Sequence, residues 1–307
     1  MDTNTKLPSP YQQMLDKALP DISALFDSSA RKVYKQRDIR KMLAKHSVEW
    51  HFYLGIPIRT FTKHLCDQSA MKKVVLVFGK NRSRKETRYI WGNASVYELA
   101  LSLKNHSYLT HHSAAYLHQL IEIIPDTIYL NSEQSRRTTT SALTQEAIDL
   151  AFRNSVRISN NVAQYDNKTI CLLNGMYTGQ LGVVELIGEE GEELHLTGIE
   201  RTLIDIAVRP VYSGGVLEVL TIYRNASNKI SPKRLIEIYK KMGYVYPYHQ
   251  VIGFYLDRAG GYDEKDINLF YQIDMPFNFY LTHKMGETSF SDKWKLFYPK
   301  ELDDVSY

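Results

Sequence analysis

Between positions 72 and 88 the sequence sets Lys72, Lys73, Lys80, Arg82, Arg84, Lys85 and Arg88 against a single acid, Glu86. Closely spaced ammonium and guanidinium groups pair with phosphate oxygens, and each neutralised phosphate releases counterions. Just upstream, Arg59, Thr60, Thr62, Lys63, His64 and Gln68 are interleaved with Ile58, Phe61 and Leu65. That spacing predicts a helix with one polar and one apolar face. From such a helix Arg59 can donate a pair of hydrogen bonds to guanine O6 and N7, while Thr60 and Thr62 can meet bases or phosphates. Arg31, Lys32, Lys35, Arg37, Arg40 and Lys41 add a basic approach. The residues expected to touch DNA are therefore Arg59, Thr60, Thr62, Lys63, Lys80, Arg82, Arg84 and Lys85. The bland alternative is a solvated hairpin whose charges serve solubility alone.

Other chemistry is poorly supported. His106, His111, His112 and His118 are close in sequence, but no carboxylate or thiol stands at a spacing that would complete a metal site. Gly214 and Gly215 precede a predicted helix, yet there is no GxxxxGK[ST] and no GxGxxG, so no nucleotide or other cofactor is expected. Asp205 and Glu218 have nothing to bring them together. There is no GxSxG, no HExxH and no Cys–His arrangement. No catalytic residue, metal or cofactor is expected, and the chain reads as a binding protein rather than an enzyme.

The elements that would position the basic residues follow from apolar periodicity. Helical spacing runs from Tyr11 to Phe26, with Pro20 expected to divide it, then from Lys35 to His46 and from Ile58 to Asp67. MKKVVLVF (71–78) reads as a strand, GKNRSRKE as a turn and TRYIW (87–91) as the returning strand. Helix, helix, helix, strand, loop, strand is the layout of a winged helix-turn-helix, with the charge cluster on the wing beside the recognition helix. That placement turns the cluster into a DNA-contact expectation. The fold class expected is α+β: a winged helix-turn-helix domain over 1–92 with an N-terminal helical extension, then a mixed α+β domain over 93–307. In the second domain Thr110 is expected to cap a helix, Thr197 and Glu200 to form a capping box, and helices to follow near 215–227, 231–242 and 248–259. FNFYLTH and WKLFYP read as closing strands.

Charge is divided along the chain. Residues 1–110 hold 19 Lys/Arg and 9 Asp/Glu, net +10, whereas the rest is net −6 within a total of +4. A basic first third points to a polyanionic partner, and the acidic remainder confines that expectation to the first domain. The two cysteines, Cys66 and Cys171, fit a reducing compartment. With no apolar leader and no stretch of about 20 apolar residues, a cytoplasmic protein without membrane contact is expected.

Several stretches together resemble the AbiEi family of antitoxins from bacterial type IV, abortive-infection toxin–antitoxin modules. VYKQRDIRKML with the later RYIWG resembles the family's winged-helix entry and exit. YELALSLKNHSYLTHHSAAYLHQL and GIERTLIDIAVRPVYSGGVLEVL are similar to two segments of its second domain. YPYHQVIGFYLDRAG, FYLTHKM and WKLFYPKEL are compatible with longer members. The resemblance begins near Val33. It implies an autorepressor that binds repeats in its own promoter, relieves the toxicity of a nucleotidyltransferase encoded beside it, and forms no stable complex with that toxin. The wing cations Lys80, Arg82, Arg84 and Lys85 carry over as DNA contacts, and a homodimer on inverted repeats would match a two-fold site. A stand-alone transcription regulator and a protein-interaction module that blocks its partner directly are the alternatives.

Overall fold

The computed structural model describes residues 9–79, 84–136 and 142–305. The chain folds as two compact units. One holds the chain up to Asn105 together with Ala163–Asp166 and Ile187–Leu194, and the other holds the remainder.

The first unit opens with α1 (Pro10–Asp27), where Ser9 and Gln12 cap each other reciprocally: each side chain accepts from the other's backbone amide. Pro20 does not divide this helix. It sits on the exposed face and removes one backbone bond, while Met14, Leu15, Ala18, Ile22 and Phe26 bury one continuous stripe on both sides of it. That shared burial outweighs the local loss. Next come β1 (Val33–Tyr34) and α2 (Gln36–His46), the latter begun by Asp38, whose carboxylate accepts from the Lys35 amide at 3.0 Å and the Arg31 guanidinium at 2.8 Å. Burial pushes the Asp38 carboxyl up, but the Lys35 and Arg31 donors outweigh it and hold the group below its ordinary range.

α3 (Ile58–Gln68), β2 (Met71–Phe78), β3 (Arg84–Trp91) and α4 (Val96–Leu101) complete the unit. β2 and β3 form a long antiparallel hairpin whose pairs run from Met71↔Trp91 to Phe78↔Arg84, so β3 starts at Arg84 rather than at Thr87. β1 pairs with the other edge of β3, giving the sheet order β1-β3-β2. The core between helices and sheet is aromatic: Phe26 stacks on Trp91 at 4.8 Å, and Trp50 on Phe61 at 5.9 Å.

α4 belongs with this unit, so the boundary expected after Gly92 falls after Asn105. The reason is polar. The Glu98 carboxylate accepts from the Lys32 and Val33 amides at 2.8 and 3.0 Å, and the Arg88 guanidinium donates to Ser102 Oγ and the Ser102 carbonyl.

From residue 106 the chain forms β4 (Tyr108–Leu109), α5 (His111–Leu117), β5 (Thr127–Asn131), α6 (Gln145–Arg153), β6 (Val162–Tyr165), β7 (Lys168–Leu173), β8 (Val183–Ile187), β9 (Glu193–Thr197), α7 (Ile199–Val208), α8 (Val216–Ala226), α9 (Pro232–Met242), α10 (Tyr248–Ala259), α11 (Glu264–Tyr271), β10 (Phe279–Tyr280), β11 (Thr288–Ser291) and β12 (Leu296–Pro299). A mixed sheet runs in the order β6-β7-β5-β4-β9-β8, with β5 parallel to β7 and antiparallel to β4. A second sheet, β10-β12-β11, closes the chain. The helices share a core that includes Leu203, Val219, Tyr223, Val251 and Tyr255. Trp294 presses on α10 where residue 253 is glycine; a Cβ there would lie 2.1 Å from the indole. The fold class is α+β. Among the described residues, no helix is long and apolar enough to cross a membrane.

Two caps differ from expectation. α7 starts after Gly198, leaving Thr197 Oγ1 to pair with Thr202 Oγ1. Glu200 does not reach back; it accepts from the Ser231 amide at the start of α9. Thr110 stands at the N-cap position of α5 as expected, but its hydroxyl donates to Asp205 at 2.9 Å and makes no bond to the helix amides.

Candidate nucleic-acid interface

α3 divides its residues by face. Phe61 and Leu65 are fully buried, and Thr62 and His64 lie with them. Arg59 and Lys63, one turn apart, are exposed on the opposite side, with Thr60 half-buried between the faces. Thr62 is therefore corrected as a contact: it is 3% exposed, and its hydroxyl donates to the Ile58 carbonyl at 2.9 Å. Counting along the helix from Phe61 could have revealed this, since position 62 shares the inward arc with 58 and 65. His64 Nε2 lies 3.2 Å from the Asp16 carboxylate of α1 and is likewise spent internally.

The hairpin alternates in the same way. Met71, Tyr89 and Trp91 belong to the helix-side core, so Lys73, opposite Tyr89, and Lys85, opposite Val77, stand on that same face nearer the tip. Both are exposed. Lys73 is near enough to Cys66 of α3 to act on its thiol, which burial first and Asp67 second push above the ordinary range despite that lysine. Lys73 is a candidate that charge alone places in the cluster but does not single out.

Arg84 lies on the other face. Its guanidinium covers the Phe78 ring at 4.6 Å and approaches Glu86 at 3.7 Å. Arg88, the last member of the charge cluster, is 3% exposed and spends its donors on Ser102 and the backbone. Burial holds it below the ordinary arginine range, with Glu86 opposing. It is a structural residue rather than a phosphate ligand. Lys80 and Arg82 lie outside the described residues. The described residues thus leave Arg59 and Lys63 exposed on α3 and Lys73 and Lys85 exposed on the helix side of the hairpin. Cations so placed can pair with phosphates across a groove whose base edges are within reach of Arg59.

The second unit buries a different polar cluster. Arg201 Nε donates to Asp205 at 2.9 Å, Nη1 to the Leu181 carbonyl at 2.6 Å and Nη2 to Tyr108 Oη at 3.3 Å. Tyr108 Oη donates to Glu133 at 3.0 Å, and the Glu133 carboxylate accepts from the amides of Thr178, Gly179 and Gln180. Burial pushes the Tyr108 phenol up to about 12, with Arg201 opposing; Arg201 itself is raised by Asp205 against its own burial. These groups satisfy one another, and the network ties the 174–182 loop to α7. Asp205 and Glu218 take separate partners, Glu218 lying 3.8 Å from His112. His118 Nε2 is bonded to the Thr197 carbonyl at 2.7 Å. None of His106, His111, His112 and His118 belongs to a group of three potential metal ligands among the described residues.

No protein-family model and no curated protein matches the sequence. Among solved structures, the chain is similar to the RV2827C protein from Mycobacterium tuberculosis, with a TM-score of 0.57 and 13% identity over 95% of this chain and 92% of that one, a likeness that shows a shared fold.

Proposed function

We propose that the first unit is a winged helix-turn-helix that binds duplex DNA. α3 is its recognition helix and the β2–β3 hairpin its wing. The observation that carries this reading is the exposure of Arg59 and Lys63 on α3 and of Lys73 and Lys85 on the hairpin face that packs on the helices, while Arg88, Thr62 and His64 turn inward. The element order and the β1-β3-β2 pairing support the same reading. Arg59, near the helix N-terminus, meets base edges, and the lysines meet phosphates.

The biological role proposed is that of an autorepressing antitoxin acting beside a nucleotidyltransferase toxin, in the cytoplasm. This part rests on the resemblance of the sequence stretches to AbiEi antitoxins. The gene next to this one separates it from a stand-alone regulator: a nucleotidyltransferase supports the antitoxin. Gel shift on the protein's own upstream region is the direct test. A duplex from that region should be retained well below the concentration needed for a shuffled duplex of equal length. Equal binding of both would leave only a non-specific polyanion binder, and no binding of either would end the reading.

A further inference from the structure

Four large apolar side chains stand exposed among the described residues of 9–105: Val48, Tyr53, Leu54 and Val75. Three of them fall between α2 and α3, in the segment that leads into the proposed recognition helix. Tyr53 is 77% exposed and Leu54 42%. The segment around them is not loose. Trp50 and Phe52 turn inward, Trp50 stacking on Phe61 and on His46, and the Phe52 amide donates to the Ser47 carbonyl at 2.9 Å. On the far side Ile56 packs on the core and Pro57 precedes α3. Tyr53 and Leu54 are therefore held out from the surface between two fixed points.

The charges of the two helices that flank this tip in sequence indicate what covers it. Arg37, Arg40, Lys41 and Lys45 of α2 and Arg59 and Lys63 of α3 are all exposed. Of the three acids from α2 to α3, Asp38 is engaged with Arg31 and the Lys35 amide and Glu49 with His46 at 2.6 Å, and Asp67 lies at the far end of α3. A two-fold contact between copies built on this tip would bring the cations at the flanking helix ends, Lys45 and Arg59, towards those of the other copy, which is unfavourable. A polyanion with apolar surface between its charges suits it: duplex DNA offers deoxyribose and thymine methyl groups between phosphates.

We infer that the Tyr53–Leu54 tip is a third DNA-contacting element, packing its ring against sugar or a thymine methyl at the edge of the site read by α3. This rests on the DNA-binding reading. It adds a contact that is apolar and therefore salt-independent, distinct from the lysines.

The experiment is a fluorescence titration of the full chain with a duplex from its own upstream region, repeated over a salt series, for wild type, Tyr53→Ala and Tyr53→Phe. Loss of a buried ring should weaken binding about tenfold. The salt slope should not change, because Tyr53 neutralises no phosphate. Tyr53→Phe, which keeps the ring, should stay close to wild type. Melting temperatures of all three should agree, since the side chain is exposed. Wild-type affinity in Tyr53→Ala, with wild type itself binding, would overturn the inference and leave the α3 and hairpin reading standing. Failure of the wild type to bind any duplex would remove the DNA reading and this inference with it. Sedimentation is run alongside. A wild-type dimer that becomes monomeric in Tyr53→Ala would give the tip to a second copy and overturn the inference.

Discussion

Replacing Lys63 and Lys85 together by alanine should flatten the salt dependence of DNA binding by a calculable amount. Both side chains are exposed, one on α3 and one on the helix side of the hairpin. If Lys63, Lys73 and Lys85 each neutralise one phosphate, log Kobs falls against log salt with a slope of about −2.7. Raising salt from 50 to 200 mM then weakens binding about 40-fold. With two of the three removed, the slope becomes about −0.9 and the same change in salt costs only about 3.5-fold. Any contribution from Lys80 and Arg82 steepens both lines equally, so the difference of about 1.8 in slope is the quantity to measure. Fluorescence anisotropy on one duplex at several salt concentrations gives it, with thermal melting as a control for folding. Thr62→Val serves as the comparison inside the same titration, because its buried hydroxyl meets only its own helix. A double variant that melts normally and keeps the wild-type slope would refute the placement of these lysines on the DNA, whatever happens to the affinity at one salt concentration.

Two further outcomes follow from the second unit. Gly253→Ala replaces the poorest ordinary helix former by the best, which in an exposed helix stabilises by about 1 kcal/mol. Here the new methyl meets Trp294 at 2.1 Å, so the variant should lose about 1–3 kcal/mol in urea melts; an unchanged or higher midpoint would mean that α10 and Trp294 do not pack as described. The protein should also lose stability as pH falls from about 6.5 towards 4. His111 and His249 are both lowered to about 4 from 6.5, burial being the main cause, opposed by Asp205 for His111 and Asp274 for His249. Their Nε2 atoms are buried without a partner. The unfolded chain binds protons in that window that the folded chain refuses, so stability decreases with acid and levels off below about 4, by roughly 3 kcal/mol for each histidine. His111→Asn, an exchange its positive φ of 52° tolerates, and His249→Gln should each flatten the slope of stability against pH between 6.5 and 4; identical slopes in the variants would assign the acid sensitivity elsewhere.

The local architecture was legible where one physical rule dominates. α2, α3 and β2 fall within a residue of their expected positions, because apolar periodicity and β-branched content speak without competition there. Long-range effects hid the rest. Pro20 signals a break on local grounds, and only the stripe from Met14 to Phe26 keeps α1 whole. Thr197 and Glu200 match a capping box by spacing, but the carboxylate finds the Ser231 amide, a partner from a distant turn that sequence spacing cannot reveal. α11 and β11 lie in a stretch whose patterning is too weak to predict them. The domain boundary shifts to Asn105 because Glu98 and Arg88 make bonds across sequence gaps that composition does not register.

The candidate site illustrates the same limit more sharply. Charge alone makes Arg84, Lys85 and Arg88 equivalent members of one cluster. The pairing Val77↔Lys85 and Phe78↔Arg84 puts successive residues on opposite faces, and Arg88 follows Arg84 away from the helix side. Once the strand start at Arg84 is known, the face of every cation in β3 is fixed by the two-residue period, with Tyr89 and Trp91 marking the side that packs on α3. A register error of one residue would exchange Lys85 for Arg84 in the proposed contact. A cluster of seven cations is thus not a sevenfold interface. Its described members divide into two lysines, Lys73 and Lys85, that can face a duplex, a third, Lys72, exposed on the opposite face, an arginine laid over Phe78, and an arginine that fastens β3 to α4. Binding strength should therefore track which face a residue occupies rather than how many charges the hairpin carries.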